Sequence, residues 1–321
     1  MLRAAVEAGA DSVYCGLSDE TNARNFPGLN LLASELSEAV AWTRARGARL
    51  LLAVNTFATA GKVEAWRRAV DVAARAGVHA IIAADIGVLA YARAHWPDLR
   101  LHLSVQAAAG TPQAIAFYAR TYNVARVVLP RVLSLEEIER LTRSVEVEVE
   151  AFVYGGLCVM AEGRCALSSY ATEGSPNLTG VCSPPEAVAY TEAQASLTAR
   201  LGDFAIDRHP AGEAAGYPTL CKGRFLVDGD SSHLFEDPVS LNAMDLLDGF
   251  RRIGVTAVKV EGRQRGKAYV ARVASAFRRA IDAQAAGKTA ASFAHTLADL
   301  ALADLAEGGR QTSGAYRKTW R

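Results

Sequence analysis

Four cysteines stand within one 64-residue stretch, spaced Cys158-x6-Cys165-x16-Cys182-x38-Cys221. Thiolates are soft ligands that hold zinc or iron–sulfur clusters. A tetrahedral zinc site usually draws on paired cysteines about two to four residues apart, and no such pair exists here. A cubane iron–sulfur cluster accepts thiolates at separate corners, which suits wide and uneven spacing. Gly155, Gly156, Gly163 and Gly223 allow backbone to approach inorganic sulfide, and Arg164, Lys222 and Arg224 lie beside ligands to offset negative charge. On spacing alone, a cluster, a zinc ion and four buried apolar thiols all remain open. The fifth cysteine, Cys15, has the apolar neighbours Val13 and Tyr14 and reads as a structural thiol. A total of five in a chain of 321 residues argues against a disulfide framework.

These thiols need elements to position them. Short β-branched or Leu-rich runs recur at Ser12–Cys15, Arg49–Val54, Ala80–Ala83, Leu101–Ser104, Arg126–Leu129, Val147–Val153 and Ala257–Val260. Each reads as a buried strand. Between most of them lie Ala- and Arg-rich stretches of helical period, such as Ser34–Arg46, Lys62–Ala76 and Pro112–Tyr122. Alternating strands and helices predict an α/β fold with a parallel sheet. Seven strands fall one short of a closed TIM-like barrel. The expectation is such a barrel lacking its first strand, which would precede Met1; an open doubly wound sheet is the alternative. The expected divisions are 1–156 and 227–286 for the barrel, 157–226 for a cysteine-rich insertion and 287–321 for a tail with a helix near Ser292–Leu305. The insertion is rich in turn signals such as Ser183-Pro184-Pro185 and poor in helical period. An irregular stretch of that length needs another source of order, and a metal cluster supplies one.

In a parallel barrel the residues just past each strand line the mouth. That rule selects Asn55, Asp85, Ser104 with Gln106, Arg131, Tyr154, and Glu261 with Arg263. Arg131 and Arg263 are candidates to clamp a carboxylate, because the guanidinium fork bonds two oxygens at once. The structural alternative is that Asp85 and Glu261 simply pair with these arginines. His102, on a strand, reads as a satisfied core histidine, and the remaining histidines show no ligand spacing. No Ser-His-Asp or Cys-His pattern is visible, which leaves catalytic residues unassigned.

Composition narrows the partners. Lys plus Arg is 35 and Asp plus Glu is 34, a net charge of +1. This balance gives no electrostatic case for wrapping nucleic acid. No apolar run approaches the ~18 residues of a membrane helix. The residues from Met1 to Ala8 lack the apolar stretch of a signal peptide, so the expected location is the cytoplasm.

Glu150-Ala151-Phe152-Val153-Tyr154-Gly155-Gly156-Leu157-Cys158, with Gly163-Arg164-Cys165-Ala166-Leu167-Ser168, resembles the signature of the collagenase-like peptidase family of undetermined catalytic type. Asp19–Phe26, Val127–Arg131, Gly216–Arg224 and Lys259–Arg263 match as well. The nearest branch serves oxygen-independent ubiquinone biosynthesis, which Tyr154 favours where other branches carry His. The resemblance implies a 4Fe-4S cluster on Cys158, Cys165, Cys182 and Cys221, and a heterodimer with a UbiV-like paralogue. It further implies hydroxylation of the ubiquinone precursor ring, with prephenate as oxygen donor. Competing expectations are an RNA-base hydroxylase, a zinc metallopeptidase and a non-catalytic cluster-bearing scaffold.

Overall fold

A computed structural model describes residues 1–25, 28–158, 160, 165–174, 182–193, 195–213, 215, 218–233, 235–262, 265–287 and 302–317. After helix α1 (Leu2–Glu7), the chain alternates β1 (Ser12–Gly16), α2 (Leu36–Arg44), β2 (Arg49–Val54), α3 (Glu64–Ala76), β3 (Ala80–Ala83), α4 (Ile86–His95), β4 (Leu101–Leu103), α5 (Pro112–Tyr122), β5 (Val124–Val128), α6 (Leu135–Thr142) and β6 (Glu148–Gly156). Local chemistry sets these boundaries. Gly77 closes α3 in the left-handed conformation, at φ 72°. Asp85 opens α4 by accepting from the Gly87 and Val88 amides. Ser134 and Glu137 form a capping box on α6.

Strands β1 to β6 run parallel in sequence order, and β13 (Ala257–Val260) pairs in parallel with β6. The helices α8 (Leu247–Arg252) and α9 (Lys267–Ala285) flank β13 in sequence. These are the seven expected strands, and the ladder stays open: among the described residues β1 bonds only to β2, and β13 only to β6. The sheet nevertheless curls, because Lys259 Nζ of β13 lies 4.0 Å from the centre of the Tyr14 ring of β1.

The two faces of the sheet differ. Leu50, Leu52 and Val54 of β2 join the main apolar core with α2 and α3. On the inner face Leu51 packs with Ala80, Ile82 and Tyr14. From β4 onward that face turns ionic. Lys259 Nζ donates to Glu150 Oε1 (2.7 Å), and Arg126 reaches both Glu150 Oε2 (3.1 Å) and Glu148 Oε2 (2.7 Å). Arg100 bonds Glu148 Oε1 (2.7 Å) and donates from Nε to His102 Nε2 (3.1 Å). His102 is buried, and its Nδ1 has no partner. The expected core histidine is thus only half satisfied. Burial, reinforced by Arg126, lowers its pKa to about 3 and keeps it neutral.

Between β6 and β12 (Ser240–Asn242) the chain leaves the parallel sheet. The expected irregular stretch instead holds α7 (Ala166–Thr172), an antiparallel meander β7 (Val188–Ala193), β8 (Ser196–Leu201) and β9 (Phe204–Pro210), and a hairpin β10 (Arg224–Val227) and β11 (Asp230–His233). Ala171, Leu201 and Ile206 form its own small buried cluster. The reason this was illegible is plain in β7, where five of the six residues are exposed, so the strand carries no buried face. The boundary expected at Leu226 falls inside β10.

The tail is part of the sheet. Strand β14 (Gln311–Thr312) pairs with β12, and the buried Tyr316 donates to the Phe152 carbonyl (2.6 Å). Most of the helix expected near Ser292–Leu305 lies outside the described residues; Ala303–Leu305 forms a short 3-10 turn.

Candidate functional site

The loop after β1 is built to hold one arginine. Gly16 leaves no room for a Cβ, which would meet the Asn22 side chain at 2.1 Å. Asn22 donates to the Leu17 carbonyl (3.0 Å) and Asn30 Oδ1 (2.8 Å), and accepts from the Arg24 amide (3.1 Å). Asn55, just past β2, accepts from the Ala23 amide (3.0 Å), while Asn30 donates to the Arg24 carbonyl (3.1 Å). Thr56 ties Glu20 to Trp66. The backbone on both sides of Arg24 is therefore fixed by side-chain amides, which satisfy polar groups that a loop this deep cannot offer to water.

Arg24 Nε lies 3.7 Å from Glu261 Oε1, and Arg131 Nη2 donates to Glu261 Oε2 (2.5 Å). Arg131, past β5, also stacks its guanidinium 3.7 Å from the centre of the Phe152 ring. Glu261 follows β13 and donates its amide to the Tyr154 carbonyl (2.9 Å). It fits because Gly155, at φ 133°, has no Cβ: one would stand 2.8 Å from Glu261 Cβ. Burial works against charge on Arg24, but Glu261 and then Cys182 outweigh it and hold the guanidinium above its ordinary value.

Two of the four candidate cysteines, Cys182 and Cys158, feel the charge of Arg24. All four are half-buried and unbridged. Cys165 precedes α7, Ser168 Oγ holds the Cys182 carbonyl, and Cys221 Sγ donates to Thr219 Oγ1 (3.7 Å). Burial pushes the Cys182 thiol up; Arg24 opposes this, while Cys165 and Cys221 add to it. Burial likewise raises Cys221, with Cys158 and Cys165 contributing. Charge effects thus link Cys182 to Cys165 and Cys221, and Cys221 to Cys158 and Cys165. Among the described residues no three or more His, Cys, Asp or Glu side chains gather as a single ion requires. A cube of iron and sulfide meets its thiolates at separate corners, and this donor set fits such a group.

The other rim residues have mixed fates. Asp85 serves the α4 cap and the Ala58 amide (3.2 Å), not Arg131. Ser104 caps a 3-10 turn, and Gln106 is buried with Oε1 unpartnered. Arg263 lies outside the described residues. Tyr154 is not at the mouth: it is fully buried, donates to the Leu302 carbonyl (2.9 Å) and packs on Tyr269 and Phe277 of α9. The cause is a bulge. Lys259 pairs with Phe152 but Val260 with Tyr154, so Val153 is an extra residue and the expected alternation of faces breaks. Burial raises the Tyr154 pKa to about 12. Arg24 was not among the rim candidates, since it sits eight residues past β1 in a loop; the run of asparagines around it was the available signal.

Comparison with known proteins places this site in a family. The chain is 32% identical over 96% of its length to the tRNA hydroxylation protein P of Escherichia coli, and 28% identical over 89% to a collagenase of Porphyromonas gingivalis. It is 26% identical over 88% to the 23S rRNA 5-hydroxycytidine C2501 synthase of Escherichia coli. It spans 71%, 64% and 37% of those proteins' own lengths, respectively. The sequence model of peptidase family U32 matches residues 1–314, and the chain belongs to that family.

Proposed function

We propose that this chain is an iron–sulfur component of an oxygen-independent ring hydroxylase, acting on a ubiquinone precursor in the manner of UbiU. Names of the relatives support hydroxylation as the reaction class. The observation that carries the reading is the convergence of Arg24, Arg131 and Glu261 past the strand ends, where the charge of Arg24 is felt at Cys182 and Cys158. A cluster held by Cys158, Cys165, Cys182 and Cys221 supplies one-electron transfer. Turning a ring C–H into C–OH oxidises the ring by two electrons, so an oxygen donor such as prephenate leaves reduced by two. Arg131 and Arg24 provide guanidinium groups for an anionic donor in this reading, and Glu261 bridges the two. A UbiV-like paralogue completes the heterodimer in this reading, and the strands of the sheet form a barrel-like mouth around the substrate.

An RNA base is the second reading, favoured by the tRNA and rRNA hydroxylation relatives. The net charge of +1 weighs against it. Profiling quinones and modified nucleosides in a deletion strain grown without oxygen separates the two: loss of quinone alone supports the first, loss of a hydroxynucleoside alone the second. Anaerobically purified protein should hold about four irons and four sulfides per chain. Cys165→Ala and Cys221→Ala should abolish iron binding while Cys15→Ala retains it. Stoichiometric zinc without sulfide overturns the cluster and revives the metallopeptidase.

A further inference from the structure

Three of the four cysteines sit on segments that are laced to one another through buried hydroxyls. Cys165 stands at the head of α7, where Ser169 Oγ donates to its carbonyl (3.1 Å). Ser168, one residue earlier, donates instead to the carbonyl of Cys182, 14 residues away. The neighbour of Cys182, Ser183, donates to the Pro218 carbonyl (2.5 Å), which lies 35 residues further on and three before Cys221. Leu220, beside Cys221, packs back on the apolar cluster that contains Ala171 of α7. These links close a circuit from α7 through Cys182, Ser183 and Pro218 to Leu220 and so to α7 again. Ser168 and Ser183 are 3% and 0% exposed, so both bonds are shielded from competing water. The packing around the circuit is close. A Cβ at Gly202 would stand 2.3 Å from the Ala171 carbonyl oxygen, and one at Gly223 2.6 Å from that of Ile206. On the far side of Cys221, Lys222 Nζ pairs with Glu307 Oε2 (2.5 Å) and anchors the turn to the tail.

We infer that Ser168 and Ser183 are positioning residues of the cysteine site, holding the Cys165, Cys182 and Cys221 segments in one frame before a cofactor arrives. This rests on the cluster reading above. Each serine acts through backbone: Ser168 through the carbonyl of a ligand residue, Ser183 through the carbonyl of the strand of chain that leads to Cys221. Three segments that converge on one inorganic group lose conformational freedom when they do so. A frame that fixes them beforehand lowers that cost at the moment of binding. Groups that orient ligands in this way matter for retention of the metal although they never touch it. Cys158 is placed by other means, two residues past β6 and therefore by the sheet.

Iron release from anaerobically reconstituted protein to an excess of ferrous chelator tests this, together with iodoacetamide labelling of the metal-free protein read by mass spectrometry. Ser168→Ala and Ser183→Ala each leave a buried carbonyl without its donor. Each should release iron about tenfold faster than wild type from the same initial content of iron and sulfide. In the metal-free variants Cys182 and Cys221 should be labelled faster, and Cys15 at the wild-type rate. Thr142→Ala is the control. It removes a comparable bond, from Thr142 Oγ1 to the Ile253 carbonyl (2.5 Å), at the end of α6 and ahead of β6 rather than after it. It should lower the urea midpoint and release iron as wild type does. If a serine variant takes up no iron, labelling of its metal-free form carries the test. A wild type without iron and sulfide overturns the cluster reading itself. A loaded wild type whose release and labelling rates match those of both serine variants overturns the role of the serines alone. So does a Thr142→Ala protein that loses iron as fast as they do, since the effect is then one of general stability.

Discussion

The sheet carries two ionic clusters made of the same side-chain types, and they do opposite work. The inner one joins Arg100, Arg126 and Lys259 to Glu148 and Glu150; its members stand within strands or immediately before one, at positions set by register. Every carboxylate oxygen there has a cation within 3.1 Å. The outer one joins Arg24 and Arg131 to Glu261; its members stand past strand ends, one contact is stretched to 3.7 Å, and Arg24 feels the charge of Cys182 and Cys158. Depth along the strand, rather than residue type, separates a cluster whose carboxylate oxygens are all closely paired from one with a contact stretched to 3.7 Å.

The comparison is broken most decisively at Glu150. Lys259 and Arg126 hold this buried carboxyl below the usual carboxylate range despite its burial. Glu150→Ala strands Lys259 and part of Arg126, and should cost about 3–5 kcal/mol in urea unfolding. The double change Glu150→Leu with Lys259→Met should recover most of that loss, because an apolar pair of similar volume needs no compensation. A single-variant cost below about 1 kcal/mol would remove the structural assignment.

At the rim the balance should invert. Arg131→Lys keeps the charge but not the fork, and should lower hydroxylation by roughly one to two powers of ten, equivalent to about 1.5–3 kcal/mol. Iron content should persist, and the loss of stability should be smaller than for Glu150→Ala. Equal activity in the lysine variant, or a collapse in stability without loss of turnover per folded molecule, contradicts the assignment.

The smallest effect sharpens the inner cluster by pH. His102 titrates at about 3 when folded against an ordinary value of 6.5. The unfolded chain therefore binds more protons between those values, and the stability His102 contributes is complete above pH 6.5 and declines as pH falls. From pH 6.5 to 5 the decline should be about 1.6 kcal/mol. Denaturant melts of wild type and His102→Leu over that range measure it; parallel slopes in the two proteins would show that His102 is protonated in the fold. The window lies above the carboxylate range, so Glu150 does not obscure it.

The parallel strands were legible because each is a short apolar run with both faces covered, as in Ala80–Ala83, where all four residues are buried. The meander was not, since polar and exposed residues line both faces of β7. The four thiols could be read from type and spacing, and Arg131 and Glu261 from their places at strand ends. Which carboxylate would pair with Arg131 stayed open between Asp85 and Glu261, and the fold selects Glu261, 130 residues away. Tyr154 was misplaced because one inserted residue, Val153, reverses a face without leaving any mark in residue type. Arg126, Glu150 and Lys259 did leave a mark: charges amid otherwise apolar strands, which only a mutual pairing can accommodate.

The tie between Lys222 and Glu307 spans 85 residues. A ribosome adding about 5–20 residues per second takes roughly 4–17 s to cover that distance. Cys221 thus emerges seconds before the tail that anchors its neighbour, and β6 waits similarly for β13. For that interval the sulfur-bearing segment is synthesised but not yet clamped. Assembly of the site is therefore ordered in time by translation, with the thiols most accessible before the last strands and the tail arrive.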